Sequence, residues 1–147
     1  MKTRTAFLFF ATILFTCLVC SFSVQAQTKG EIFHLYPQFE KDFGYAQAVK
    51  RGNHIYISGS TGQGKTIEEQ IANAYATLKR TLEHFGADFS DVVKETVFVT
   101  DMEAMKKAAP ARKAVYGNNT PSTSWIGIDR LYSPSAMLEI ELVAIVE

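Results

Sequence analysis

Thr120 to Val146 reads TPSTSWIGIDRLYSPSAMLEIELVAIV and divides into two strands joined by a proline-containing turn. In the second strand Leu138, Ile140, Leu142, Ala144 and Val146 share one face at period two. The other face carries Met137, Glu139, Glu141, Val143 and Ile145. Two carboxylates followed by two β-branched apolar residues do not make a uniformly solvated surface. The expectation is that a second copy of the chain covers this face and that Glu139 stands in the cleft between copies.

Upstream, Glu31–Leu35 reads as a short first strand. Tyr45–Lys50 and Ile55–Ser58 read as a hairpin turning at Arg51-Gly52-Asn53-His54. A glycine-rich loop follows at residues 59–65. Thr66–Phe85 places Ile67, Ile71, Ala74, Tyr75, Leu78, Leu82 and Phe85 on one helical side. Thr66 and Glu69 form a capping box, and Gly86 stands just past the end. Val92–Thr100 is a strand. Asp101 caps a second helix, Met102–Tyr116, which Gly117 ends. This order predicts an α+β domain with one mixed sheet and two helices on one face. Ile126 and Ile128 are expected on the helix side with Ile55, Ile57, Leu138 and Ile140. Tyr56, Ser58, Thr123, Trp125 and Glu139 are expected on the other.

The chain starts with Lys2 and Arg4, an apolar run from Ala6 to Val19, and Val24-Gln25-Ala26. Those features predict a signal peptide at residues 1–26 and a mature domain at 27–147, periplasmic or secreted and free of the membrane after cleavage. Both cysteines, Cys17 and Cys20, fall in the leader, so the mature chain has no thiol for disulfides, nucleophilic attack or metal binding. Removing Lys2 and Arg4 from the 15 basic residues leaves 13 against 15 acidic, a net of −2. No basic stripe points to nucleic acid.

Gly59-Ser60-Thr61-Gly62-Gln63-Gly64-Lys65-Thr66 matches the spacing of a phosphate loop. The chain lacks the parallel αβ repeat and the acidic strand end that nucleotide hydrolysis requires. His34, His54 and His84 have no metal-ligand spacing, and no histidine is placed to serve Ser58 as a base. Glu139 is the strongest chemical candidate. A carboxylate on an inward sheet face beside apolar residues is partly desolvated, which raises its pKa and suits general acid or base work. A salt bridge across a subunit interface is the plainer alternative.

Gly44-Tyr45-Ala46-Gln47-Ala48, Ile55-Tyr56-Ile57-Ser58-Gly59, the Gln70–Phe85 helix, Val92–Val99 with Asp101-Met102, Thr120–Ser124 and Leu138–Ile145 together resemble the RidA/YjgF family. The resemblance implies a chorismate-mutase-like fold and a homotrimer whose sheets form a central barrel, with small-molecule clefts between subunits. It implies hydrolysis of enamines and imines to keto acids and ammonia, without metal or cofactor. Onto this chain it carries Tyr45, Ser58 and Gly59 as substrate-binding residues and Glu139 as the residue that positions or activates water. The family's substrate-carboxylate arginine falls on Thr123, and a small residue falls on Trp125. The resemblance therefore implies altered or absent deaminase activity, with Thr123 and Trp125 lining a reshaped cleft. Two further readings stay open. One is an active deaminase with a substitute cation, Arg112 or Lys65. The other is a non-catalytic ligand-binding or holdase-like module.

Overall fold

The computed structural model describes residues 30–147. The leader assigned to residues 1–26 lies outside the described residues. The elements run β1 (Glu31–Phe33), α1 (Pro37–Phe43), β2 (Ala48–Arg51), β3 (His54–Thr61), α2 (Ile67–His84), β4 (Val92–Val99), α3 (Met102–Tyr116), β5 (Ser122–Gly127) and β6 (Leu138–Ile145). The strands form one mixed sheet in the order β1-β2-β3-β6-β4-β5. All neighbouring pairs are antiparallel except β4 and β5. That parallel pair requires a crossover, which α3 provides.

Period-two patterning sets the buried side of the central strand. Leu138, Ile140, Leu142 and Ala144 are at most 2% exposed, against half-buried Glu139, Val143 and Ile145. Ile71, Ala74, Tyr75, Leu78 and Leu82 of α2 and Met105 and Ala108 of α3 close the core over them. Burial of this apolar area is the dominant favourable term in folding. Thr66 caps α2 by accepting from the Glu69 N–H, with the Glu69 side chain returning to the Thr66 N–H. Asp101 caps α3 by accepting from the Ala104 N–H.

Three expectations are corrected. A third helix, α1, begins with Pro37 at its N-terminus and ends at Gly44, which has φ 73°. The segment read as a glycine-rich loop from Gly59 is strand as far as Thr61, because β3 continues through a bulge. The face assignment of β5 is reversed. Thr123 and Trp125 register with Glu95 and Val97, both fully buried under the helices, while Ile126 registers with Phe98 on the open face and is 41% exposed. A six-residue strand at the sheet edge carries too little alternation to declare its inner face, since it has apolar residues on both.

Candidate functional site

On the open face, Thr61, Glu139, Phe98 and Ile126 form one cross-strand row spanning β3, β6, β4 and β5. Between Ile57 and Ser60 the pairing of β3 with β6 slips, so Ser58 and Gly59 together stand opposite Glu141. Such a bulge re-aims side chains and frees backbone. Ser60 is thereby turned into the core side, where it is 4% exposed. Gly59 comes to lie beneath Glu139: a Cβ built there would fall 2.6 Å from Glu139 Cδ and onto Oε1.

Tyr45, Ser58, Gly59 and Glu139 line one cavity of about 500 Å³, together with Phe39, Phe43, Thr61 and Tyr132. Four residues predicted to act together are therefore adjacent within a single chain. Ser58 Oγ donates to the Ala46 carbonyl at 2.7 Å, and its N–H donates to the Gln47 carbonyl at 2.9 Å. These bonds fasten the loop bearing Tyr45 to the bulge. Burial raises the Glu139 pKa, and the like charge of Glu141 adds to the shift. Burial also raises the Tyr45 phenol, helped by the carboxylates of Glu40 and Glu139. The pair is thus a carboxyl tuned towards proton exchange beside a phenol that stays protonated at neutral pH.

Thr123 and Trp125 do not join this cavity within the chain. Thr123 Oγ1 donates to Glu95 Oε2 at 2.7 Å on the opposite side of the sheet. Glu95 is fully buried and also accepts from Tyr75 Oη, Tyr116 Oη and Arg112. Arg112 Nε and Nη2 lie 2.7 and 2.6 Å from Glu95 Oε2, and its guanidinium lies 5.0 Å from the Tyr116 ring centroid. Arg112 is therefore committed to a buried carboxylate and is not a cation for the Glu139 cavity of its own chain. Trp125 packs against the core, and its Nε1–H has no partner among the described residues. Lys65 lines a different depression, with Thr100, Arg130 and Met137.

Several residues of the site were not anticipated. Phe39 and Phe43 sit one helical turn apart on α1, ring centroids 4.6 Å apart, and Tyr132 meets Phe43 edge-on at 5.8 Å. The signal for them was Pro37 followed by Phe39, Phe43 and Gly44: a helix start, an i,i+4 aromatic pair and a helix stop. Glu40, on the same helix, is fully buried. Its Oε1 accepts the N–H groups of Leu35 and Tyr36 at 2.8 and 2.6 Å. Its Oε2 accepts the Gln47 N–H at 2.9 Å, with His34 Nδ1 at 2.7 Å. Burial alone would raise the Glu40 pKa, but these donors outweigh it and the net shift is downward. No group of three His, Cys, Asp or Glu among the described residues is arranged to hold a metal ion.

Residues 38–146 match the Endoribonuclease L-PSP family, which contains the RidA/YjgF proteins, and the chain belongs to that family. It is 29% identical over 111 residues to the 2-iminobutanoate/2-iminopropanoate deaminase of Dermatophagoides farinae, covering 70% of this chain and 86% of the relative. It is 31% identical over 108 residues to a RutC family protein of Pyrococcus abyssi, covering 68% and 84%. The crystal structure of a YjgF-family member from Mycobacterium tuberculosis superposes with a TM-score of 0.76 at 29% identity, covering 80% of this chain and all of the other. The α+β expectation holds, with three helices in place of two.

Proposed function

We propose that the protein is an exported Rid-family homotrimer whose Glu139 cavity binds imines or enamines and hydrolyses them, with ordinary 2-imino-acid deaminase activity reduced or lost. The observation that carries this reading is the meeting of Tyr45, Ser58, Gly59 and Glu139 in one cavity whose lining, among the described residues of the single chain, includes no lysine or arginine. Hydrolysis adds water across the C=N bond and releases ammonia. Glu139, its pKa raised by burial, takes a proton from the attacking water and passes one to the leaving nitrogen. Gly59 gives the carboxylate room, and Ser58 holds the Tyr45 loop.

The arginine that resemblance would place at residue 123 is replaced by a threonine already bonded to Glu95. Losing the bidentate anchor of a substrate carboxylate costs roughly 30- to several-thousand-fold in binding or rate. Homologues named as deaminases, including the human protein at 30% identity, support the reaction class. The homotrimer is supported by the open sheet face, where Tyr56 and Ile126 are 50% and 41% exposed beside Phe98, Val143 and Ile145. Export rests on residues 1–26. The near-neutral composition argues against an RNA reading of the family description.

The test is ammonia release from freshly generated imines of several amino acids, with the human deaminase as reference. The expected result is a rate at least roughly 30-fold below that of the reference, with the remainder abolished by Glu139→Gln. A rate equal to the reference would overturn the reduced activity. Turnover that survives Glu139→Gln would overturn the role of the carboxylate. A species of monomer mass at micromolar concentration would overturn the trimer.

A further inference from the structure

We infer that the Glu139 cavity selects aromatic organic cations, meaning protonated amines and the iminium ions derived from them, over carboxylate-bearing imines; this rests on the imine-hydrolysis reading and names its substrate class. Among the described residues of the single chain, eight line the cavity; four carry aromatic rings and one, Glu139, carries charge. The rings of Phe39 and Phe43 are tilted against each other at 4.6 Å. Tyr45 meets Phe39 edge-on at 6.3 Å, and Tyr132 meets Phe43 edge-on at 5.8 Å. Ring faces present negative potential, so a cation gains from each ring it meets.

These rings are not buried as core. Phe39 is 46% exposed, Phe43 56%, Tyr45 38% and Tyr132 79%. Exposed aromatics gathered around a carboxylate form an apolar wall with one negative base, which is complementary to a flat group bearing an ammonium or iminium. The same base repels a carboxylate. Glu141, also on this face, adds a second negative charge to the field. The nearest competing arrangement is an adjoining cavity of about 540 Å³ that shares Phe39, Tyr45, Gly59 and Thr61 and contains Arg80. An anionic ligand anchored on Arg80 would produce the opposite selectivity, so the two are separable by charge.

The experiment titrates the mature chain, in its native assembly, with three probes that share a phenylethyl group: 2-phenylethylammonium, 2-phenylethanol and 3-phenylpropanoate. The expected order of affinity is cation, then neutral, then anion, with the cation ahead of the anion by about tenfold or more at low salt. Phe43→Ala and Tyr132→Ala, both at well-exposed positions, should each weaken the cation by roughly threefold to tenfold. Glu139→Gln should erase the preference for cation over neutral probe. Binding of the anion first, lost in Arg80→Gln, would overturn the inference and move the anchor to the adjoining cavity. So would equal binding of all three, binding of none, or a preference that survives Glu139→Gln. Ammonia release from the imine of 2-phenylethylamine is then compared with that from the imine of phenylalanine. Release from neither, with the binding order intact, sinks hydrolysis and leaves the cation site standing. Faster release from the phenylalanine imine sinks the cation selectivity and leaves hydrolysis standing.

Discussion

The carboxylate of Glu139 lies over the backbone of Gly59 in the space a Cβ would fill, 2.6 Å from Cδ. Gly59 has no need of glycine for its backbone angles, since it is not among the residues with positive φ. The requirement is purely one of room. Gly59→Ala should therefore fold, because the colliding group is the end of a flexible side chain, but the carboxylate must swing away. Displacing an acid–base group by about 1 Å costs on the order of 100-fold in rate. The expected outcome is a melting temperature close to wild type with turnover reduced to that scale. Full activity in Gly59→Ala would show that the observed carboxylate position is not the working one.

Glu139 also predicts a pH effect on stability. Its folded-state pKa lies above the ordinary 4.5 because burial and Glu141 disfavour the charged form. For such an acid, the contribution to stability is complete below the unfolded value and is lost as pH rises through the folded value. Glu139→Gln removes this cost. The variant should melt above wild type at pH 7, and the difference should vanish below pH 4.5. Melting curves of both proteins between acid and neutral pH check it, and a variant less stable than wild type at pH 7 would contradict it.

Glu40 behaves in the opposite sense. Four donors hold it ionised in a fully buried position, and its pKa is lowered from 4.5. Its stabilisation is therefore present above pH 4.5 and lost as pH falls through the lower folded value. Glu40→Gln replaces one acceptor oxygen with an NH2 group facing other N–H donors, a loss of about 1–3 kcal/mol. A fall in melting temperature of roughly 5–15 °C at pH 7 is expected. The acid limb of the stability profile should be correspondingly flatter. Because Gln47 and the loop with Tyr45 hang from this carboxylate, ligand affinity at the Glu139 cavity should fall as well. An unchanged melting temperature would refute the tie.

What could be read from the residues, and what could not, divides along a physical line. Leu138 to Ala144 alternate strictly, and α2 carries caps at both ends with an apolar stripe, so their faces were legible. Glu139 stood out because a carboxylate breaks that alternation towards a half-apolar face. Trp125 and Thr123 were placed on the wrong side because β5 has apolar side chains on both faces; only its register with the buried Glu95 and Val97 settles the matter. The bulge at Ser58–Gly59 depends on how β3 meets β6, a tertiary pairing that no local pattern announces. Glu95 was missed because burial of its charge depends on donors distant in sequence, and Glu40 because its nearby donors, from His34 to Gln47, converge on it only once the chain bends around α1. Tyr75, Arg112, Tyr116 and Thr123 reach Glu95 from three different elements.

That last cluster separates a structural arginine from a catalytic one. The Arg112 side chain is 15% exposed and that of Glu95 fully buried, with the guanidinium held through Nε and Nη2. Burial would lower the Arg112 pKa, but bonding to Glu95 outweighs it and the cation is strengthened. Arg112→Met leaves the carboxylate with only the hydroxyls of Tyr75, Tyr116 and Thr123. Removing one partner of a buried pair costs about 3–5 kcal/mol, whereas replacing both by apolar groups is often nearly neutral. Arg112→Met should thus melt roughly 10–20 °C lower, and Glu95→Leu combined with Arg112→Met should recover part of that loss. Binding at the Glu139 cavity, on the other face of the sheet, should change by no more than about twofold while the variant remains folded. A variant that keeps its stability but loses the ligand would reverse this assignment and make Arg112 the cation of the cleft.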